Sequence, residues 1–383
     1  MDYINFLSIV WPNGFWPSLI KIFSFVGNYA WIVVIFTICL KLILFPLDFA
    51  QRYFSNKTAR AQAKIQPQLE KLKKQYGQNT TLLYQKQNEL YQKNGVSSRG
   101  SCVFMLVYLV LTIVIFISLF NSMQFIARYN LQDQYRNLQT DYYTYYNSEF
   151  VVGYLNAPTG AEDSPDKIYT DEEMQAFIDA RVSEIMTDEG KTEEEALAIV
   201  NGVKGRVTGE AQDLVKEEYG KVKNNWLWVK NLYIADNATY SAIPDYNQYV
   251  GLSGDRDVTE GSYNLVMAKL LSEDNGANGY FILSILVVAA SFLSQFIMRR
   301  TTNYKDKNGN AVPMPTSSKV MLIIMPLTML MFTLNSSAVF SVYVLTNTLM
   351  STILTPLSTK ISNSIETKHE KKEQELKKVD YRR

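Results

Sequence analysis

The sequence predicts an all-α polytopic membrane protein with five transmembrane helices, a cytoplasmic helical hairpin and a helical extracytoplasmic insertion. Three observations predict it. Apolar runs recur at 29–50, 103–125, 279–298, 319–334 and 338–357, while the rest of the chain is strongly polar. The mean hydropathy of -0.10 averages these two populations. Charge is also unevenly distributed between the runs. Finally, two helix-capping boxes mark the one long acidic segment.

The charge distribution orients the spans. Gln51 to Ser101 carries ten Lys/Arg and two acids, 299–319 five and one, and the chain after Leu357 eight and five. Phe125 to Asn278 carries thirteen Lys/Arg against twenty-seven acids. The positive-inside rule places the first three segments in the cytoplasm and the acidic one outside. Five crossings then give an outside N-terminus and a cytoplasmic C-terminus.

Residues 1–28 do not read as a cleavable signal peptide. Met1 to Val10 holds Asp2, no positive cluster, and no A-x-A site follows. Residues 15–23 predict a short amphipathic helix at the outer interface, with Trp11, Trp16 and Trp31 suited to the headgroup zone. The first run, 29–50, is long enough to cross a bilayer of ~30 Å at about 1.5 Å per residue. Lys41 stands inside it. A charge there costs at least ~2.5 kcal/mol. Two readings remain open: an intramembrane polar site, or a lysine that snorkels its ammonium to the cytoplasmic edge.

Residues 51–100 predict a basic helical hairpin: one helix over 51–76 ended by Gly77, a second over 80–94. Its apolar positions are sparse: Ile65, Leu69, Leu72, Tyr76, Leu82, Leu83, Leu90 and Tyr91. They suffice for one seam and no core. Such an arm suits RNA, anionic lipid or an acidic partner, or serves only to set topology. In the exported region, 126–278, a helical insertion is expected over 128–225. Thr170 to Glu173 and Thr192 to Glu195 form capping boxes, each followed by apolar residues at helical spacing. A third helix is expected over 208–223. The run Tyr142 to Tyr146 is read as packing on this unit. After the third span come a cytoplasmic loop at 299–319, a hairpin of the last two spans turning at Asn335-Ser336-Ser337, and a charged tail at 358–383.

The composition excludes most chemistry. His369 is the single histidine and lies in the charged tail, so a His-based triad or zinc site is not expected. No GxxxxGK[ST], HExxH or GxSxG occurs. Cys39 and Cys102 suggest neither a disulfide framework nor a metal site. The chain is read as no enzyme, with no cofactor. Polar groups are scattered through the spans, among them Thr112, Ser118, Ser291, Gln295, Thr346 and Asn347. Singly these are helix-packing contacts. Together with Lys41 they would line a wet groove.

The order of parts resembles the YidC/Oxa/Alb membrane-protein insertases over 15–125 and 226–360. Lys41-Leu42-Ile43-Leu44-Phe45-Pro46-Leu47 is similar to the family's Arg-x-x-x-[YF]-Pro-Leu. Ile65-Gln66-Pro67 resembles the start of the coiled hairpin, and Gly100-Ser101-Cys102 the Gly-Gly-Cys that opens the second span. Trp228 to Leu232 resembles Trp-Ile-x-Asp-Leu, and Val342 to Asn347 resembles the fifth span. Lys41 replaces the family arginine, which keeps its charge more firmly under burial. Phe104, Tyr108 and Ser284 stand where Pro, Gln and Pro are usual, and 128–225 is absent from the common short form. The resemblance implies a bacterial plasma-membrane insertase and chaperone with a positively charged groove. Its implied partners are nascent membrane proteins, membrane lipid and the ribosome, with the Sec translocon and signal recognition particle receptor as further candidates, and no DNA. A polar-lined transporter or channel, or a receptor using the outer unit, are the other classes considered.

Overall fold

A computed structural model describes residues 14–93, 98–158, 164–222, 224–273, 276–301 and 316–380. Trp11, the greater part of the loop at 299–319, and the side chains of Cys102, Phe104 and His369 lie outside the described residues. Among the described residues the chain is helical, with two isolated bridges, Trp226 with Val229 and Ser241 with Ala277, in place of strands. It divides into two units, 1–124 with 281–383 and 125–280.

The first unit holds α1 (Phe15–Lys21), α2 (Tyr29–Tyr76), α3 (Thr80–Lys93), the first half of α4 (Ser98–Tyr146), α9 (Ile282–Thr301), α10 (Thr316–Leu334) and α11 (Ala338–Asp380). Four helices are long and apolar enough to cross a membrane; they begin at Tyr29, Leu106, Ile282 and Ala338. The expected fourth span is a shorter apolar helix, Leu322–Leu334. The protein is therefore an integral membrane protein.

At 48 residues α2 is about 72 Å long, more than twice the hydrocarbon thickness. It runs through Pro46 and Pro67 without a break, so the first span and the basic arm are one rod. The side chain of Asn28 caps it, accepting from the N–H of Ala30 at 3.0 Å. α11 packs along both α2 and α9, and α10 along α9. Phe116 and Phe120 of α4 meet Phe332 and Phe340 edge-on, a geometry aromatic rings favour. The short helix α1 turns its apolar face inward. Trp16 is buried against Phe36, and its indole N–H donates to the Ser118 hydroxyl at 2.6 Å. In the arm, Ile65 and Leu69 of α2 are buried under Leu90 and Tyr91 of α3.

The second unit is built on the other half of α4, a π-helical turn at Asn147–Val152, α5 (Asp171–Glu189), α6 (Glu193–Val222), α7 (Tyr246–Ser253) and α8 (Glu260–Glu273). Both capping boxes form: Thr170 and Glu173 exchange side-chain to backbone bonds, as do Thr192 and Glu195. These bonds hold both glutamates below the ordinary carboxylate range. The separate third helix expected over 208–223 does not exist. α6 is continuous over 193–222. Gly202, Gly205 and Gly209 each weaken a helix by ~1 kcal/mol relative to alanine. Burial of Ala196, Val200, Val207, Ala211, Val215 and Tyr219 along one face outweighs them. Tyr142 and Tyr146 belong to this core, next to a stack of Tyr135, Tyr249 and Tyr263.

The segment before α9 folds around one side chain. Asn278 accepts from the N–H of Asn231 and donates to the carbonyls of Asn231, Ile234 and Ala235. Beside it Asp236 accepts from Tyr280 N–H at 2.9 Å and from the Trp228 indole at 3.3 Å. The motif Trp228 to Leu232 thus serves to close this loop.

Candidate functional site

The Lys41 stretch of α2 faces α4 across a cavity of about 90 Å³. Its walls follow helical periodicity. Leu40, Lys41, Leu44, Leu47 and Asp48 share one face of α2, and Tyr108, Leu111, Thr112, Ile115 and Phe116 share one face of α4. Tyr343 and Asn347 of α11 complete it. The lining is apolar except for Lys41, Asp48, Tyr108, Tyr343, Thr112 and Asn347, and it has room for several waters.

Lys41 does not stand alone. Its Nζ lies 3.8 Å from Asp48 Oδ2, and the two side chains are 17% and 16% exposed. The separation of seven residues brings them two turns apart on the same face. The other carboxylate oxygen, Oδ1, accepts from the Tyr108 hydroxyl at 2.5 Å. At an effective dielectric of ~20 the attraction at this distance is about 4 kcal/mol, which offsets part of the cost of withdrawing two charges from water. Pro46 adds a polar atom nearby, because the carbonyl of Leu42 has no helical N–H to accept from.

The structure brings three of the seven residues singled out in the sequence to this cavity: Lys41, Thr112 and Asn347. Thr112 donates to the carbonyl of Tyr108 at 2.8 Å. The other four lie elsewhere. Ser118 receives the Trp16 indole. Ser291 donates to the carbonyl of Val287 and Thr346 to that of Val342, each one turn back in its own helix. Gln295 is half-buried on α9, one turn beyond Ser291. Helical hydroxyls readily bond the carbonyl four residues back; this spends the protons of Ser291, Thr346 and Thr112 alike, and leaves Thr112 as an acceptor in the cavity wall. Asp48 and Tyr108 were not singled out as site residues, although the spacing to Lys41 carries the signal: Asp48 is the sole acid in the five apolar runs.

No metal-binding cluster of His, Cys, Asp or Glu occurs among the described residues. The cavity can bind and orient charged or polar segments.

Comparison with known proteins agrees in place with this geometry. The profile of the family described as 60Kd inner membrane protein matches residues 21–153. The membrane protein insertase YidC of Thiobacillus denitrificans is 34% identical over 119 residues, 31% of this chain and 20% of that protein. The protein of the same name from Fusobacterium nucleatum is 36% identical over 93 residues, 24% of this chain and 43% of its own. The aligned stretch thus spans between about a fifth and two fifths of these relatives. No solved structure matches the chain. Residues 21–153, which carry Lys41, Asp48 and Tyr108, match the 60Kd inner membrane protein profile, and a quarter to a third of the chain is similar to proteins named YidC insertases.

Proposed function

We propose that the chain is an insertase and chaperone for nascent membrane proteins of a bacterial plasma membrane, working without catalysis of a covalent step. The observation that carries this reading is the charged cavity between the first two spans, in the stretch 21–153 that matches the 60Kd inner membrane protein profile; about a third of the chain is also similar to a protein named an insertase. A polar client segment enters the cavity from the cytoplasmic side. Lys41, Thr112 and Asn347 replace part of its water, with Ser118, Ser291, Gln295 and Thr346 on neighbouring surfaces of the bundle. The client's apolar segment then leaves along the spans into lipid. The transfer of that segment out of water supplies the driving force, ~25 cal/mol per Å² of apolar surface. Nucleotide hydrolysis is not needed.

The short apolar helix Leu322–Leu334 supports the path. At 1.5 Å per residue it covers about 20 Å, less than the hydrocarbon core, so the bilayer thins beside it. In this reading the N-terminus and the unit at 125–280 lie outside. The arm at 51–100 and the tail at 358–383 lie inside, where the ribosome and other delivery partners would meet them. The test is depletion in living cells with pulse-labelling of new membrane proteins. Clients with short polar exported tails are expected to remain protease-sensitive on the cytoplasmic side. Unchanged insertion of every labelled protein would sink the proposal.

A further inference from the structure

We propose that Asp48 acts as an internal occupant of the groove: it holds Lys41 in the resting state, and a client carboxylate reaches Lys41 only by displacing it. Asp48 thereby sets the groove's preference for client charge. This inference rests on the insertase reading above.

Three features carry it. Asp48 is the one acid among the apolar runs, and it lies in the cavity wall, not at a helix end. A carboxylate at such a place is costly, and a neutral residue would fit the helix at less cost.

The second feature is the unequal grip on its two oxygens. Tyr108 holds Oδ1 at 2.5 Å. Lys41 stands 3.8 Å from Oδ2, well beyond the ~2.7–2.9 Å of a charge-assisted hydrogen bond. Asp48 is therefore anchored by the tyrosine and only loosely by the lysine. The ammonium keeps donors for another oxygen, and the loose contact is the one that a client can exchange.

The third feature is a second cation on the same face. Residues 41, 48 and 52 fall within an arc of about 40° around a helix of 3.6 residues per turn. Arg52 is half-buried one turn beyond Asp48. Oppositely charged side chains four apart are within reach of each other. When a client carboxylate takes Lys41, Asp48 can lean towards Arg52, and the balance of charge in the groove is maintained throughout the exchange.

The consequence is selectivity. With Asp48 in place, an acidic client tail competes for Lys41 and gains little over a neutral one. Without it, the acidic tail gains and a basic tail loses. The full chain is reconstituted in liposomes with three single-span reporters whose exported tails differ in one residue: Asp, Asn or Lys. The readout is the protease-protected fraction of each, taken as ratios between reporters. Asp48→Asn should raise the acidic-to-basic ratio by about threefold or more, the scale of a weakly coupled charge pair. Tyr108→Phe, which loosens Asp48 but keeps it, should move the ratio the same way by less. In the double variant Lys41→Gln with Asp48→Asn, tail charge should matter less than in Asp48→Asn alone, with Arg52 the cation that remains on this face.

An unchanged ratio in both Asp48→Asn and Tyr108→Phe would overturn the inference, leaving Asp48 as a counter-ion that merely solvates Lys41. So would loss of all three reporters in an Asp48→Asn protein of normal circular dichroism and elution volume. If that variant does not accumulate, the ratio in Tyr108→Phe decides. If no reporter inserts above protein-free liposomes even with the native chain, the insertase reading itself falls, and this inference with it.

Discussion

Lys41 is legible from the sequence because a charge within an apolar run violates the composition of its surroundings. Its partners are less so. Asp48 is two turns away, and Tyr108 comes from another helix, so only packing brings its hydroxyl to the carboxylate. On the insertase reading, Lys41→Ala should lower insertion of clients with acidic exported tails, and Lys41→Arg should keep it. The check is protease protection of such a client at matched protein level. Equal insertion by the alanine variant would mark Lys41 as a snorkelling anchor. A second residue matters for stability alone. A Cβ at Gly279 would stand 1.8 Å from Asp236 Oδ1 and 3.1 Å from Asp236 Cα. Gly279→Ala therefore expels the carboxylate that holds Tyr280 N–H and the Trp228 indole. It should destabilise the loop before α9 by ~2–3 kcal/mol, read as faster proteolysis within 226–280. Unchanged proteolysis would contradict the steric reading.

At the scale of elements, local signals located the capping boxes, because the partners are three residues apart and the bonds form wherever the helix starts. They failed at α6. A separate helix is expected over 208–223, yet the buried face keeps helical spacing from Ala196 to Tyr219. Gly205 is exposed, and a Cβ there meets nothing within 4 Å. Gly205→Ala should therefore stabilise this unit by about 0.5–1 kcal/mol, visible as stronger amide protection along α6. A loss of protection would show that the glycine is needed. The arm makes the opposite case. Among the described residues, the buried cluster joining α3 to α2 is small: Ile65 and Leu69 with Leu90 and Tyr91 packed against them. Amide exchange in α3 should be faster than in the span cores, and deletion of 60–92 should impair client insertion while the spans stay folded. Protection in α3 equal to that of the spans would refute a mobile arm.

At the scale of the whole molecule, the positive-inside bias makes a topological prediction. With Cys39 and Cys102 removed, a cysteine at Ser183 should react with an impermeant thiol reagent added to intact spheroplasts. A cysteine at Gln85 should react only after permeabilisation. Ser183 on α5 and Gln85 on α3 are both exposed, so burial does not bias the comparison. Labelling of Gln85 from outside would invert the topology, and with it the direction of insertion proposed here.

The sequence by itself determined the class: runs of apolar residues long enough for a bilayer, and an acidic segment with its own helices. These are one-dimensional properties, because hydrophobic length, net charge and cap spacing act within a segment or between a segment and solvent. Tertiary structure decided what the polar groups in the spans do. Ser291 and Thr346 spend their protons on their own helices, Ser118 serves Trp16, and Asp48 and Tyr108 join Lys41. A hydroxyl in lipid must find some acceptor, and its own carbonyl four residues back competes with every partner across the bundle. Which one wins depends on the distance between helix faces, and that distance is set by packing of residues far apart in the chain.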